Sequence, residues 1–344
     1  MDHGGVRGAG GDAVTEPPSL REHAASGAEG PERSRVLVSR ALPDAWLAPL
    51  RDAGLEVDAP TSEGALAAAE LRARAAGASA LLVQLDDRVD AAVLDAAGPA
   101  LRVVATFSVG TDHLDLGACR ARGVAVVHTP DVLTDATADQ AWALLLTVVR
   151  RVREGRELIA RGAWDGWSPT RLLGSDLHGR TLAIVGLGRI GTAVATRARA
   201  FGMEVAYHGP RPHPERAEPL AARYEPDLDA LLETADVVSL HAPLMAATHH
   251  LLDARRLALL PPHAIVVNVG RGALVDERAL VAALTQGRLG GAALDVFEDE
   301  PQVPPELLAL ANVAVAPHQG SATSGTRAAM AALCTRGILE ALGR

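Results

Sequence analysis

Three polar residues punctuate apolar runs in the second half of the chain. Arg271 follows "VVNVG", Glu300 lies in "LDVFEDEP", and His318 ends "VAVAPH". Arg271 stands between two glycines, and a buried strand seldom ends in a guanidinium unless an anion waits for it. Taken singly, each residue has a plainer reading: a solvated charge, a turn acid before proline, a packing histidine. Taken together they form a working set. Arg271 is a cation for a carboxylate, His318 an acid or base for a carbonyl oxygen, and Glu300 a carboxylate that orients the imidazole.

A glycine pattern lies upstream. "IVGLGRIG" (184–191) holds Gly186, Gly188 and Gly191 in the spacing GxGxxG. The pattern alone is weak in a glycine-rich chain. Its context strengthens it, because an apolar strand precedes it and a helical stretch, "RIGTAVATRARAFG", follows. That order places backbone N–H groups and a positive helix end where a pyrophosphate would lie. An NAD site usually carries an acid on the ribose roughly 20 residues later. Here the next strand ends "AYHGPRPHPE" (206–215), with Gly209 near that position and Arg211 and His213 after it. A missing acid and a nearby arginine favour NADP(H) over NAD(H).

Strand and helix must alternate to hold these residues. "RVLVS" (35–39), "ALLVQL" (80–85), "LRVVATFS" (101–108) and "VAVVHT" (124–129) read as strands between Ala-rich helical stretches. "DAWLAPLRDAG" (44–54) reads as a helix stopped at Gly54. A long amphipathic helix is expected over 135–161, with Thr134 or Asp135 as N-cap. Alternation restarts with "TLAIVG" (181–186), "EVAY" (204–207), "DVVSLHAP" (236–243), "AIVVNVG" (264–270), "GAALDVF" (291–297) and "VAVAP" (313–317), and a closing helix is expected over 321–342. The fold class is therefore α/β, two doubly wound parallel-sheet units. In such sheets ligands bind beyond the carboxyl ends of the strands, so Arg271, Glu300 and His318 can converge on one cleft.

Composition bounds the rest. The chain of 344 residues suits two domains. A net charge of −9 argues against a general nucleic-acid binder, and no lysine occurs. Cys119 and Cys334 cannot make a disulfide framework, so a reducing cytoplasm is the default. No apolar stretch suits a membrane span. Residues 1–33, rich in Gly, Pro, Ser and charge, read as a disordered tail.

These residues resemble the D-isomer-specific 2-hydroxyacid dehydrogenases, most closely the glyoxylate/hydroxypyruvate reductase branch. The matching stretches are "FSVGTDHLDL" (107–116), "TPDVLTDATAD" (129–139), "GAWDGWSP" (162–169), "VGLGRIG", "HAPLMAATHHLLD" (241–253), "NVGRGALVDERAL" (268–280), "ALDVFEDEP" (293–301) and "PHQGSATSGTR" (317–327). The resemblance implies a Rossmann-like nucleotide domain, 129–318, inserted in a flavodoxin-like substrate domain, 34–128 with 319–344. It implies a homodimer with the helix near 135–161 at the interface, and no metal.

The resemblance also carries roles to particular residues. Arg271 would grip the substrate carboxylate and polarise the keto oxygen. His318 would protonate that oxygen, and Glu300 would favour the protonated ring. The N–H groups of Val109 and Gly110 would form a second carboxylate clamp, with Ser321 beside the substrate. Asp295 would hold the nicotinamide carboxamide. Leu187, Arg189, Ile190, His241, Ala242, Pro243, Thr248, Val269, Gly270 and Gly320 would complete the cofactor site with the glycines. Trp164 or Trp167 would reach a partner's cleft, or both would simply pack. The expected reaction is reduction of a small 2-keto acid. The competing readings are a longer 2-keto acid or phosphite on the same fold, or a dinucleotide-sensing corepressor-like binding protein. Residues 84–88 are expected to bear on specificity.

Overall fold

The computed structural model describes residues 34–344; the expected disordered tail, 1–33, lies outside them. The first five strands form one sheet. They are β1 (Arg35–Val38), β2 (Glu56–Asp58), β3 (Ala80–Val83), β4 (Val103–Thr106) and β5 (Ala125–Val127), ordered β2-β1-β3-β4-β5. The next seven form a second sheet: β6 (Thr181–Val185), β7 (Glu204–His208), β8 (Arg223–Tyr224), β9 (Val237–Leu240), β10 (Ile265–Asn268), β11 (Gly291–Leu294) and β12 (Val313–Val315). Their order is β12-β11-β10-β9-β6-β7-β8. Every pair in both sheets is parallel, for example Leu182 with Val237 and Val267 with Ala293. The α/β reading from sequence agrees with this architecture.

Parallel strands need crossovers, and helices on both faces bury the central strands completely. All four residues of β3, β4, β9, β10 and β11 are buried. That is why these strands appeared as largely apolar runs, with Ser239 inside β9 and Thr106 and Asn268 closing β4 and β10. The edge strands β2 and β8 did not. "EVD" and "RY" are half exposed, carry no apolar run, and were missed.

The long helix expected over 135–161 is two helices, Thr134–Val149 and Val152–Ala160. Arg151 between them takes a left-handed conformation, φ 52°. The Val149 carbonyl accepts from the Ser175 N–H at 2.9 Å, so the second chain segment completes the first helix's end. The expected Thr134 or Asp135 cap is also overturned. Leu133 occupies the cap position with no side-chain cap bond, because it is buried in the core of the five-stranded sheet. Asp135 instead pairs with Arg197 at 3.2 Å. A few residues later Ala138, Ala141, Trp142 and Leu145 enter the core of the seven-stranded sheet. The helix Thr134–Val149 therefore runs from one core into the other.

The closing helix spans Ser324–Ala341, capped by Thr323, whose hydroxyl accepts from the Thr326 N–H at 3.2 Å. It returns to the first sheet: Met330, Cys334 and Ile338 are buried with Val36, Val103 and Phe107. Among the described residues no helix is long and apolar enough to cross a membrane.

Candidate active site

Because β6 to β12 are parallel, their carboxyl ends share one edge. β6 is followed outward by β7 and β8, then β9 returns to its other side, so the chain reverses direction across the sheet between β6 and β9. A crevice opens at such a point. The glycine turn stands there. Gly186 has φ 97°, and a Cβ on it would crowd the His241 and Ala242 backbone at 2.9 Å. Gly191 packs still more closely against the Gly186 carbonyl, while a Cβ at Gly188 would meet nothing within 4 Å. The turn is thus tight below and open above. The helix Arg189–Ala200 begins on it with no acidic residue in its first turn. First-turn N–H groups lack intrahelical partners, and an arginine at a helix N-terminus opposes the dipole. That combination suits an anion, so the residues present fit a dinucleotide pyrophosphate. The Arg189 side chain is paired with Asp131.

Gly209, Arg211 and His213 follow β7. Tyr224 Oη donates to the Gly209 carbonyl at 3.1 Å, and the His213 N–H donates to Tyr207 Oη at 2.9 Å. Arg211 is exposed and makes no ion pair among the described residues. Thr248 lies beyond β9, its hydroxyl donating to the Pro243 carbonyl at 2.6 Å.

A cavity of about 740 Å³ runs along this edge and reaches the first sheet. Ile190, His241, Ala242, Pro243, Val269, Gly270, Arg271, Asp295, His318 and Gly320 line it from the seven-stranded side. Val109, Gly110, Ser321 and Leu85 also line it. Gly186, Leu187, Gly188, Arg189, Gly191, Gly209, Arg211, His213 and Thr248 stand outside the lining.

The Arg271 turn is built by Asn268, the last residue of β10. Its buried amide donates to the Arg271 carbonyl at 2.8 Å and accepts from the Gly270 N–H at 3.1 Å. The Arg271 guanidinium is then held at two points. Nη1 donates to the Gly270 carbonyl at 2.9 Å, and Nε donates to Asp112 at 3.1 and 3.2 Å. Nη2 lies 3.0 Å from the same carboxylate. The guanidinium comes so near the first sheet's loop that a Cβ on Gly110 would overlap it. The Val109 and Gly110 N–H groups find no acceptor among the described residues.

His318 has φ 49°, an uncommon conformation for a side chain of this size. Asp295 imposes it. Its carbonyl accepts from the His318 N–H at 2.8 Å, and its carboxylate accepts from the Gln319 N–H at 3.0 Å and the Gly320 N–H at 2.7 Å. The ring's Nδ1 lies 2.8 Å from Glu300 Oε2, so Nε2 is the nitrogen left for a ligand. Glu300 is itself anchored, accepting from the Phe297 N–H at 3.1 Å. It does not line the cavity; its contact there is with His318.

The geometry invites comparison with known proteins. Residues 142–320 match the model of the D-isomer specific 2-hydroxyacid dehydrogenase NAD binding domain. The glyoxylate reductase of Thermococcus onnurineus is 43% identical over 311 residues, 89% of this chain and 92% of that protein. The chain belongs to the D-isomer-specific 2-hydroxyacid dehydrogenase family. Among solved structures, a Thermus thermophilus protein shares 50% identity with the dehydrogenase, covers 90% of this chain and 97% of its own, and gives a TM-score of 0.84. An NADPH-dependent glyoxylate/hydroxypyruvate reductase from Sinorhizobium meliloti, solved with NADP and malonate, is 38% identical with a TM-score of 0.78, covering 88% and 92%.

Several site residues of the dehydrogenase have no role that the sequence alone assigns. Asp112 lies in a polar loop, 159 positions from its partner Arg271. Burial pushes its carboxyl up, but the Arg271 hydrogen bond and charge outweigh this and hold it below the usual range. Next to it, His113 Nε2 meets Thr106 Oγ1 at 2.8 Å, Thr106 meets Ser108 Oγ at 2.9 Å, and Ser108 donates to the Gly110 carbonyl at 2.6 Å. This chain of bonds ties the 108–113 loop to the end of β4. Burial lowers the His113 pKa to about 4, and does the same for His241. Gln140 donates to Asp295 at 3.3 Å, and Arg216 donates to the Leu187 carbonyl at 2.8 Å. Burial raises the Asp295 pKa, partly offset by the two N–H donors.

Proposed function

We propose that this dehydrogenase reduces glyoxylate and hydroxypyruvate to glycolate and D-glycerate, with NADPH preferred over NADH. One observation carries the reading. Arg271, the Val109–Gly110 turn and His318 open onto a single cavity from different strands, with Arg271 and His318 each locked by a second residue. The names of the glyoxylate reductases of Thermococcus onnurineus and Sinorhizobium meliloti support the substrate class.

The reaction needs a hydride, a proton and control of a carboxylate. A reduced nicotinamide, when bound, supplies the hydride. Arg271 and the free N–H groups of Val109 and Gly110 hold the substrate carboxylate, and the Arg271 N–H groups polarise the keto oxygen. His318 Nε2 delivers the proton to that oxygen, while Glu300 fixes the ring and stabilises its charge. Ser321 borders the substrate, and Leu85 limits its side chain. Residues 34–128 and 319–344 form the substrate half, and 129–318 the dinucleotide half. Gly186, Gly188 and Gly191 with the first turn of the helix Arg189–Ala200 receive the pyrophosphate. His241, Ala242, Pro243, Thr248, Val269, Gly270 and Gly320 border the cofactor, with Asp295 toward the carboxamide. Arg211 and His213 receive the 2′-phosphate, and no acid near Gly209 repels it. A hydrogen bond to a charged group is worth about 1.5–3 kcal/mol, so the NADPH preference is about 10- to 150-fold.

The working unit is a homodimer in a reducing cytoplasm. Val152, Ile159, Trp164, Trp167 and Leu173 are all exposed on one stretch of the chain, and Trp167 is 85% exposed, which supports a covered face there. Cys119 and Cys334 are both free and buried, and the Cys334 pKa is pushed up to about 12 by burial.

Initial rates over a panel of 2-keto acids and phosphite, with each cofactor, test the reading. The expected best pair is glyoxylate or hydroxypyruvate with NADPH. Equal use of NADH removes the cofactor preference. A preferred longer keto acid removes the substrate assignment. Tight dinucleotide binding without turnover points instead to a sensor.

A further inference from the structure

Away from the cavity, the described residues bring two imidazoles and a carboxylate together. The ligand atoms of His249, His250 and Glu298 all lie within 4.8 Å of one another. None of the three lines the main cavity. His250 Nε2 is 2.7 Å from Glu298 Oε1, and the two rings are 4.0 Å apart between centroids. Neighbouring residues in an extended chain point to opposite sides. Here His250 has φ 49°, which breaks that alternation and turns both rings the same way. The turn is fastened by the His249 N–H on the Met245 carbonyl at 2.9 Å and the His250 N–H on the Ala273 carbonyl at 2.8 Å.

We propose that His249, His250 and Glu298 form a binding site for a borderline divalent cation of the zinc class. Two imidazole nitrogens and one carboxylate are a zinc-type donor set, with a fourth position open to water. The fit is close. Two ligands at zinc bond lengths and a tetrahedral angle stand roughly 3.3 Å apart. The His250–Glu298 pair therefore opens by about half an ångström, and the exposed His249 ring has freedom to swing in.

The site has a position as well as a composition. His250 is bonded to Ala273, and a Cβ on Gly272 would overlap the Phe297 carbonyl and crowd the Glu298 nitrogen. A cation bridging His249 and His250 to Glu298 closes a clasp around residues 271–274, the segment that starts with Arg271. It stabilises the folded chain by mass action, in proportion to its occupancy. This inference stands apart from the substrate assignment, since binding is read without turnover.

The test titrates the full-length, metal-stripped protein with Co²⁺ and follows the visible absorption of tetrahedral cobalt. Thermal unfolding is measured with and without Zn²⁺. The expected result is one Co²⁺ per chain with imidazole-type absorption, displaced by Zn²⁺, and a higher unfolding midpoint in Zn²⁺. His249→Ala, an exposed position, should weaken binding at least tenfold while keeping the metal-free unfolding midpoint and basal activity. Glu298→Gln, which retains a hydrogen bond to His250, should do the same to binding. His263→Ala, at the separate His263–Asp236 pair, should leave binding unchanged. The proposal is overturned if wild-type protein takes up no Co²⁺ at millimolar metal. Equal affinity in His249→Ala or Glu298→Gln overturns it too.

Discussion

Replacing Arg271 with lysine keeps the charge and removes the fork, and the structure allows the loss to be estimated. Arginine has five N–H donors. Three are directed away from the substrate: Nε and one Nη2 toward Asp112, and one Nη1 toward the Gly270 carbonyl. Two remain for an incoming carboxylate or keto oxygen. Lysine has three donors, and the same two anchors, Asp112 and the Gly270 carbonyl, claim two of them. One remains, so one charge-assisted hydrogen bond to the substrate is lost. At about 1.5–3 kcal/mol, Arg271→Lys should lower kcat/KM about 10- to 150-fold. The assay is initial-rate kinetics with glyoxylate at saturating NADPH, with NADPH affinity measured separately by fluorescence. Affinity should change little, because the pyrophosphate rests on the glycine turn. Wild-type kcat/KM in the variant would refute the carboxylate-clamp assignment. A fall in NADPH affinity as large as the fall in kcat/KM would move Arg271 from substrate to cofactor.

Other expectations follow from the same geometry. Asp112→Asn leaves Arg271 a neutral partner in place of a charged one, a loss of about 0.5–2 kcal/mol, so KM for glyoxylate should rise about 2- to 30-fold; a lower KM would mean that Asp112 competes with substrate. His318→Asn removes the proton donor and should cut kcat about 10²- to 10⁴-fold at every pH, which a set of pH–rate profiles checks. Glu300→Gln weakens one charge-assisted hydrogen bond to the His318 ring, a loss of about 0.5–2 kcal/mol, so kcat should fall about 2- to 30-fold; an unchanged kcat would detach Glu300 from the ring's work. Stability should fall on acidification between about pH 6.5 and 4. The pKa values of His113 and His241 are lowered from 6.5 to about 4, so in that window the unfolded chain binds protons that the folded chain does not. Each contributes up to about 3 kcal/mol above pH 6.5, lost as pH falls toward 4. Urea unfolding of wild type and His113→Asn across this range measures it, and parallel pH slopes would rule His113 out as a source.

Features that depend on local pattern can be read from the chain before it folds. Central strands buried on both faces must be mostly apolar, so β3, β4, β6, β9, β10 and β11 were legible as runs. A βα turn that approaches a phosphate needs small residues at fixed spacing, so Gly186, Gly188 and Gly191 were legible too. Once the strands are known to be parallel, their carboxyl ends share an edge, and the convergence of Arg271, Asp295 and His318 follows. Other features depend on long-range contacts. The helix over 135–161 has an unbroken helical pattern, yet it ends at Val149 because a segment 26 residues later, at Ser175, takes the carbonyl. Leu133 displaces Thr134 from the cap because burial in a core outweighs one capping bond. Edge strands β2 and β8 escape notice because half of each is solvated, so nothing requires them to be apolar. Asp112 meets Arg271, and Glu298 meets His249 and His250, only when loops from distant strands are folded together. A polar side chain in a loop carries no periodicity, and its partner is chosen by the path of the backbone rather than by its neighbours in sequence.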